Sequence, residues 1–373
     1  MLSLKLSTNT MGKRDKTMFI KNYKEVLLEY EKFWNRENTS RPILNLSYTK
    51  DGATPYRAPK NLEEKWLDES YIYNAFLHNI SNIGFLAEGI PMLFTNFGPG
   101  CLTACIGGSY ELSNRTIWFE NQQIITDWEA PPNLELNEKS EMWQHLLRLQ
   151  SRFATDPDIP FSITDLGGIL DIIAALRGTE TLLYDLYDYP SEIKVCIKKV
   201  TEEWFKAFDQ QINCVKNANL PYNAWMNIPS LKPWYPLQCD FSYMIAPSHF
   251  EEFVLPHITK QVNYMDRSIY HLDGVGELPH LDMLLDIPKL TGIQWVPGAG
   301  IEPLFDKKWF DVYKKIQDKK KNLVLHIGRV ENNMNDLERL IKELDPTGVY
   351  LQISCSSQKI AENTLEKIIQ WSK

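Results

Sequence analysis

The sequence predicts a (β/α)₈ barrel, and three observations carry that expectation. Eight short apolar segments, beginning at residues 42, 91, 161, 223, 268, 292, 322 and 349, are each followed by a helical pattern. Their apolar character is nearly continuous, as in parallel strands buried on both faces, and an alternating βα series of eight favours closure over an open sheet. No Gly-x-Gly-x-x-Gly follows the first of them, which argues against an open dinucleotide-binding sheet. A barrel typically takes about 250 residues, with insertions adding a hundred or more, and this chain has 373.

Residues 1–20 form a polar stretch read as an N-terminal arm, leaving 21–373 as one barrel domain with an N-terminal helical extension. That extension is Asn22–Asn35, where Leu, Tyr, Phe and Trp recur at helical spacing. PILNLSY (42–48) is the first expected strand, Trp66–Gly84 a helix and PMLFTN (91–96) the second strand, running into the turn FGPGC (97–101). The alternation in SYELSNRTIWFEN suggests a hairpin inserted on the barrel rim. Trp143–Phe153 is helical, FSITDLGG (161–168) a buried strand, and Thr181 to about Lys216 a long helical stretch interrupted near Pro190. NAWMNI (223–228) is the fourth strand, followed by an aromatic, Pro-rich loop and a helix at His249–Met265. Strands at 268–274, 292–298, 322–328 and 349–355 then alternate with helices at 278–287, 303–319, 335–344 and 357–371.

Composition narrows the partners. Hydrophobic residues make up 43% and charged residues 24%, enough for a large core and unlike a disordered chain. With 48 acidic against 40 basic residues the formal charge is −8, which repels phosphate backbones and argues against nucleic acid. No apolar run reaches the ~20 residues of a membrane span. The first residues lack the apolar core of a signal peptide. Six cysteines, at 101, 105, 196, 214, 239 and 355, form no Cys-x-x-Cys pair and suit a reducing cytoplasm. The sequence leaves homodimer formation open.

In a barrel the chemistry lies at the C-terminal ends of the strands. The polar residues expected there are Asn96, Asp165, Asn227, His271, Asp273, His326 and Cys355, with Trp225 and Trp295 on the same strands. His271 and Asp273 are two apart, so they share a face of their strand. An imidazole beside a carboxylate either ligates a divalent metal or forms a base with its orienting acid. Cys355, ending the last strand, would complete a His, Asp, Cys set with an open position, although a buried thiol is as often a small hydrophobe. Asp165 precedes Gly167-Gly168, where backbone can approach a ligand, while its bland alternative is a helix cap. Cys239-Asp240 lies in the aromatic loop and can reach over the mouth; Trp225, Trp234, Tyr235, Phe241, Tyr243 and Trp295 suggest a flat-walled pocket or ordinary core.

The stretches NFGPGCL (96–102), DLGGILDIIAALRG (165–178), CDFSYMIAPSHFEEFVLPHI (239–258), YHLDG (270–274) and GIQWVPGAG (292–300), with the terminal Cys355, resemble the uroporphyrinogen decarboxylase superfamily across most of the chain. That resemblance implies a (β/α)₈ barrel and one of two chemistries. The decarboxylases are metal-free and hold substrate carboxylates with an N-terminal arginine-rich loop; here RENTSRPILNLSY (36–48) stands in that region without it. The cobalamin- and coenzyme M-linked methyltransferases bind zinc through His-x-Cys and a distant Cys. His271 and Cys355 match two of those positions, and Asp273 replaces the first thiolate with a harder ligand.

The resemblance therefore implies a zinc-dependent methyltransferase. Its metal ligands would be His271, Asp273 and Cys355, its catalytic carboxylates Asp165 and Asp240, and its substrate contacts Asn96, Trp225, Trp295 and His326. The substrate would be a thiol, another small molecule, or a corrinoid carried by a separate protein, since no Asp-x-His-x-x-Gly corrinoid module is present. A metal-free decarboxylase and a non-catalytic corrinoid- or tetrapyrrole-binding protein are the alternatives.

Overall fold

The computed structural model describes residues 23–119, 123–156, 158–298, 301 and 303–372; the expected arm at 1–20 lies outside them, as do the ends of some expected segments. The fold is mixed α/β, built on a seven-stranded, mostly parallel sheet. In chain order its strands are β1 (Ile43–Thr49), β2 (Ile83–Ala87), β5 (Trp234–Leu237), β6 (Arg267–Asp273), β7 (Gly292–Val296), β8 (Asn322–Arg329) and β9 (Val349–Cys355); β3 (Glu111–Leu112) and β4 (Ile117–Trp118) form a separate hairpin. The spatial order is β2-β1-β9-β8-β7-β6-β5, with all pairs parallel except β1 with β2.

The last four β-strand and helix pairs fall close to the segments expected from periodicity. They are followed by helices at Leu281–Leu285, Phe310–Asp318, Met334–Glu343 and Gln358–Trp371. Each strand carries Leu, Ile, Val or Tyr with almost no exposed surface, and the helices cover the outer face. The stretch 179–217 is two helices, Thr179–Asp188 and Pro190–Asn217, parted at Pro190, which begins the second.

The first half departs from expectation, and continuous pairing does not close into a ring among the described residues. Segments 91–96 and 161–168 meet through a single parallel bridge, Leu93 to Phe161. Hydroxyl groups substitute for ladder bonds there: Thr95 donates its amide to Ser162 Oγ and its hydroxyl to the Ser162 carbonyl. The expected strand 223–228 is a buried turn. Asn223 accepts from the Ala224 amide, its side-chain amide donates to Asn227 Oδ1, and Asn227 has φ +53°. These local bonds outcompete strand pairing. The strand forms a few residues later, at β5, inside the expected loop. Its Pro236 is tolerated because β5 pairs only with β6 in the sheet order. The expected helix at 66–84 splits at Asp68, which caps Glu69–Ser81 by accepting from the Tyr71 amide, and its tail becomes β2.

The N-terminal helix Tyr23–Trp34 seals the end of the sheet opposite the site. Trp34 stacks edgewise near Trp234 and donates Nε1–H to the Pro229 carbonyl. Glu31 takes both guanidinium nitrogens of Arg267 at 2.7 Å, tying this helix to the start of β6.

His257 reports on the integrity of the packed helices. It is buried, its Nδ1 lies 2.9 Å from the Phe253 carbonyl, and burial lowers its pKa to about 4. The unfolded chain takes up a proton near pH 6.5 that the folded chain takes up only near pH 4. Stability is therefore expected to fall as pH drops through that window, by on the order of 3 kcal/mol for this group. Urea unfolding between pH 7 and 4.5 measures the slope, and His257→Asn should flatten it by up to one proton.

Candidate active site

Six of the expected site residues meet at one cavity of about 360 Å³ at the C-terminal end of β6. Asn96, Asp165, Trp225, Asp240, His271 and Asp273 line it, together with Phe94, Gly98, Pro99 and Gln238. His271 and Asp273 project from alternate positions of β6 onto the same face, with His271 Nε2 3.5 Å from Asp273 Oδ2. The other ring nitrogen, Nδ1, sits 2.6 Å from Oε1 of Gln294, its register partner on β7. An acceptor at that distance selects the tautomer protonated on Nδ1 and leaves Nε2 as the ligating or basic atom. Trp225 packs edge-on against the imidazole, with ring centroids 4.9 Å apart.

Asp240 completes the group. One ligand atom from each of Asp240, His271 and Asp273 lies within 4.8 Å of the others. Its position is set from another element: Asp171, in the helix Ile169–Arg177, accepts the amides of Asp240 and Phe241 at 3.1 and 2.7 Å. This requires close approach of the helix start to the 238–241 loop. A Cβ on Gly168 would collide with the Gln238 carbonyl and the Asp171 carboxylate, so only glycine fits there. On the far side, the Tyr243 ring packs on Gly274 and Gly276 just past Asp273.

The electrostatics follow from crowding acidic groups around one imidazole. Burial raises Asp165 to about 6, against hydrogen bonds from the Gly167 amide at 2.8 Å and the Tyr235 hydroxyl at 3.2 Å. Burial and the neighbouring Asp240 raise Asp171 to about 7. Asp240 is itself raised, by desolvation at the recessed mouth and by Asp273, against the pull of His271. Glu277 is fully buried and raised well above the carboxylate range by burial, then by Asp240 and Asp171. Burial alone would lower His271, but Asp273 and Asp240 outweigh it and raise its pKa.

Two expected residues point elsewhere, and the reason is strand alternation. Trp295 follows Gln294 on β7 and faces the opposite side, where it is buried against Trp309 at 5.0 Å. Cys355 ends β9 with its sulfur toward Thr364 Oγ1 of the terminal helix, at 4.0 Å, while Tyr350 on the other face of β9 hydrogen-bonds Asn45. Cys355 is thus not gathered with His271 and Asp273; Asp240 takes the third place. Burial raises the Cys239 thiol well above its ordinary value, and it is outside the cluster too. His326 is held in the sheet interior beside the Tyr350 ring, and burial lowers it to about 4, with His271 adding to the effect.

Gln294, Gln238, Asp171 and Glu277 are the residues that sequence reasoning missed. Only Gln294 carried a local signal, as a polar residue in an otherwise apolar strand.

No family model matches the chain, and no curated protein matches it. Among solved structures it is similar to a methyltransferase from Methanosarcina mazei, at 14% identity and a TM-score of 0.59, over 94% of this chain and 97% of that one. Similarity over nearly the full length of both chains at that identity establishes a shared fold.

Asp171 is the residue whose loss should loosen the site without touching the cavity's own side chains. Asp171→Ala removes the acceptor of two amides and is expected to cost on the order of 2 kcal/mol. Urea denaturation measures the cost, and amide exchange at Asp240 and Phe241 should rise more than elsewhere.

Proposed function

We propose that this chain is a metal-dependent methyltransferase, with Asp240, His271 and Asp273 holding a divalent cation, zinc in the first instance, at the mouth cavity. The convergence of those three side chains is the observation that carries the reading, and the likeness in fold to a methyltransferase supports it. On this reading the extended segments 91–96 and 161–168 are staves of an eight-stranded barrel, the six mutually parallel strands of the sheet supplying the others.

The donor set suits a divalent cation: two carboxylates and an imidazole, with Nε2 of His271 freed by the hydrogen bond of Nδ1 to Gln294. It is harder than a thiolate set and does not include Cys355. When bound, the cation supplies a Lewis acid that lowers the pKa of the acceptor's thiol or hydroxyl group. The residues do the rest. Gln294 and Trp225 hold the His271 ring in one orientation. Asp165 lines the same cavity, and its pKa of about 6 suits it to take the proton that the acceptor loses. Asn96 is tied back by the Gly98 amide at 3.0 Å and offers its side-chain amide to the substrate.

A cavity of about 360 Å³ takes a small acceptor, so a corrinoid methyl donor would be presented from outside by a separate protein. No Lys or Arg lines the cavity among the described residues, which disfavours decarboxylation of a substrate with several carboxylates.

Metal analysis of protein purified without chelator should find about one divalent ion per chain. Asp240→Asn and His271→Ala should each lower the affinity at least tenfold, the usual scale for loss of a ligand or its support. Cys355→Ser should leave the metal content unchanged. Metal-free protein that fails to take up added zinc or cobalt would overturn the reading. Separately, Gln294→Ala should weaken metal binding about tenfold without changing the fold, as judged by circular dichroism.

A further inference from the structure

Beside the mouth lies a second cavity of about 370 Å³ that the metal reading does not use. The two adjoin: Pro99, Gln238 and Asp240 line both. Its walls come from three places. The helix Ile169–Arg177 presents Ile172 and Ala175, the hairpin strand β4 presents Ile117, and the loop after Asp240 presents Phe241 and Met244. Two large apolar side chains on its rim, Trp118 and Met244, are 44% and 48% exposed.

We propose that this annex is the subsite for a neutral, apolar arm of the substrate, whose nucleophilic head lies at Asp240, His271 and Asp273; the proposal rests on the metal reading for the head and on the annex for the arm. The chemistry of the walls selects the arm. No Lys, Arg or His is among the described residues that line the annex, so an anionic arm finds no counter-charge. Its carboxylates belong to Asp171, committed to the amides of Asp240 and Phe241, and to Asp240 at the threshold. Apolar side chains make up most of the remaining wall, and hydrocarbon entering it leaves water without displacing a polar partner. A dry cavity of about 150 Å³ accepts a benzene ring. An annex of about 370 Å³ thus admits a two-ring group or a chain of roughly eight carbons. Ala174 and Ala175 are the small residues that line this space from the helix side.

The head and the arm are tested separately. In cobalt-loaded protein, n-alkanethiols from ethanethiol to octanethiol are titrated by the visible spectrum of the cobalt. Affinity is expected to rise about fourfold per added methylene until the annex is filled. The same chain ending in a carboxylate, 6-mercaptohexanoate, should lose that gain. Ala175→Phe fills the annex and should flatten the dependence on chain length, and Thr179→Phe, at another lining position, does the same if the first variant fails to fold. A second arm needs no metal: 2-naphthol binding to metal-free protein, read by saturation-transfer NMR, should be present in the wild type and lost in either variant. A flat chain-length series in the wild type, or naphthol binding equal in the wild type and both variants, overturns the annex. Absence of cobalt uptake overturns the metal reading alone, since naphthol then decides the annex by itself.

Discussion

The grip of Asp171 on the backbone at Asp240 and Phe241 is the interaction on which the site depends. It joins the helix that follows the 161–168 segment to the loop that follows β5, two parts of the chain about seventy residues apart. Neither part would place a carboxylate opposite His271 unaided. The bond also explains why a glycine stands directly before the helix: the loop carbonyl at Gln238 lies where a Gly168 side chain would begin. A buried carboxyl that accepts from two amides leaves both donors unpaired when it is lost, and burial raises the cost of leaving them so.

From that constraint follows the electrostatic character of the mouth. Asp165, Asp240 and Asp273 act on a single imidazole, Asp171 and Glu277 act on Asp240, and the pKa of each of Asp165, Asp171, Asp240 and Glu277 is pushed up. Such a cluster holds its groups partly protonated or draws in a cation. His271 responds in the opposite direction and is raised, since the carboxylates outweigh its desolvation. The adjoining annex shares Asp171 and Asp240 with this cluster but has no basic side chain among the described residues that line it, and its remaining wall is mostly apolar.

Much of the second half of the fold was legible because each strand there is an unbroken apolar run and each helix an amphipathic one. The first half was less so, for identifiable reasons. Thr95 and Ser162 use their hydroxyls in place of a ladder, and Asn223 with Asn227 turns an apolar run that periodicity reads as a strand. The strand that replaces it, β5, contains Pro236 and sits in a stretch whose aromatic and proline content reads as loop.

The site shows the same division. Sequence alone determined that His271 and Asp273 share a face, because a strand repeats every two residues, and it marked Asp165 at a strand end and Asp240 in a loop able to reach over the mouth. It could not determine which face of β9 or β7 looks into the cavity. That parity turned Cys355 toward Thr364 and Trp295 toward Trp309, and turned Gln294 toward His271. The third member of the cluster, Asp240, was decided only by tertiary structure, because its position depends on a hydrogen bond from its amide to Asp171 on a distant helix and on the space that Gly168 leaves open.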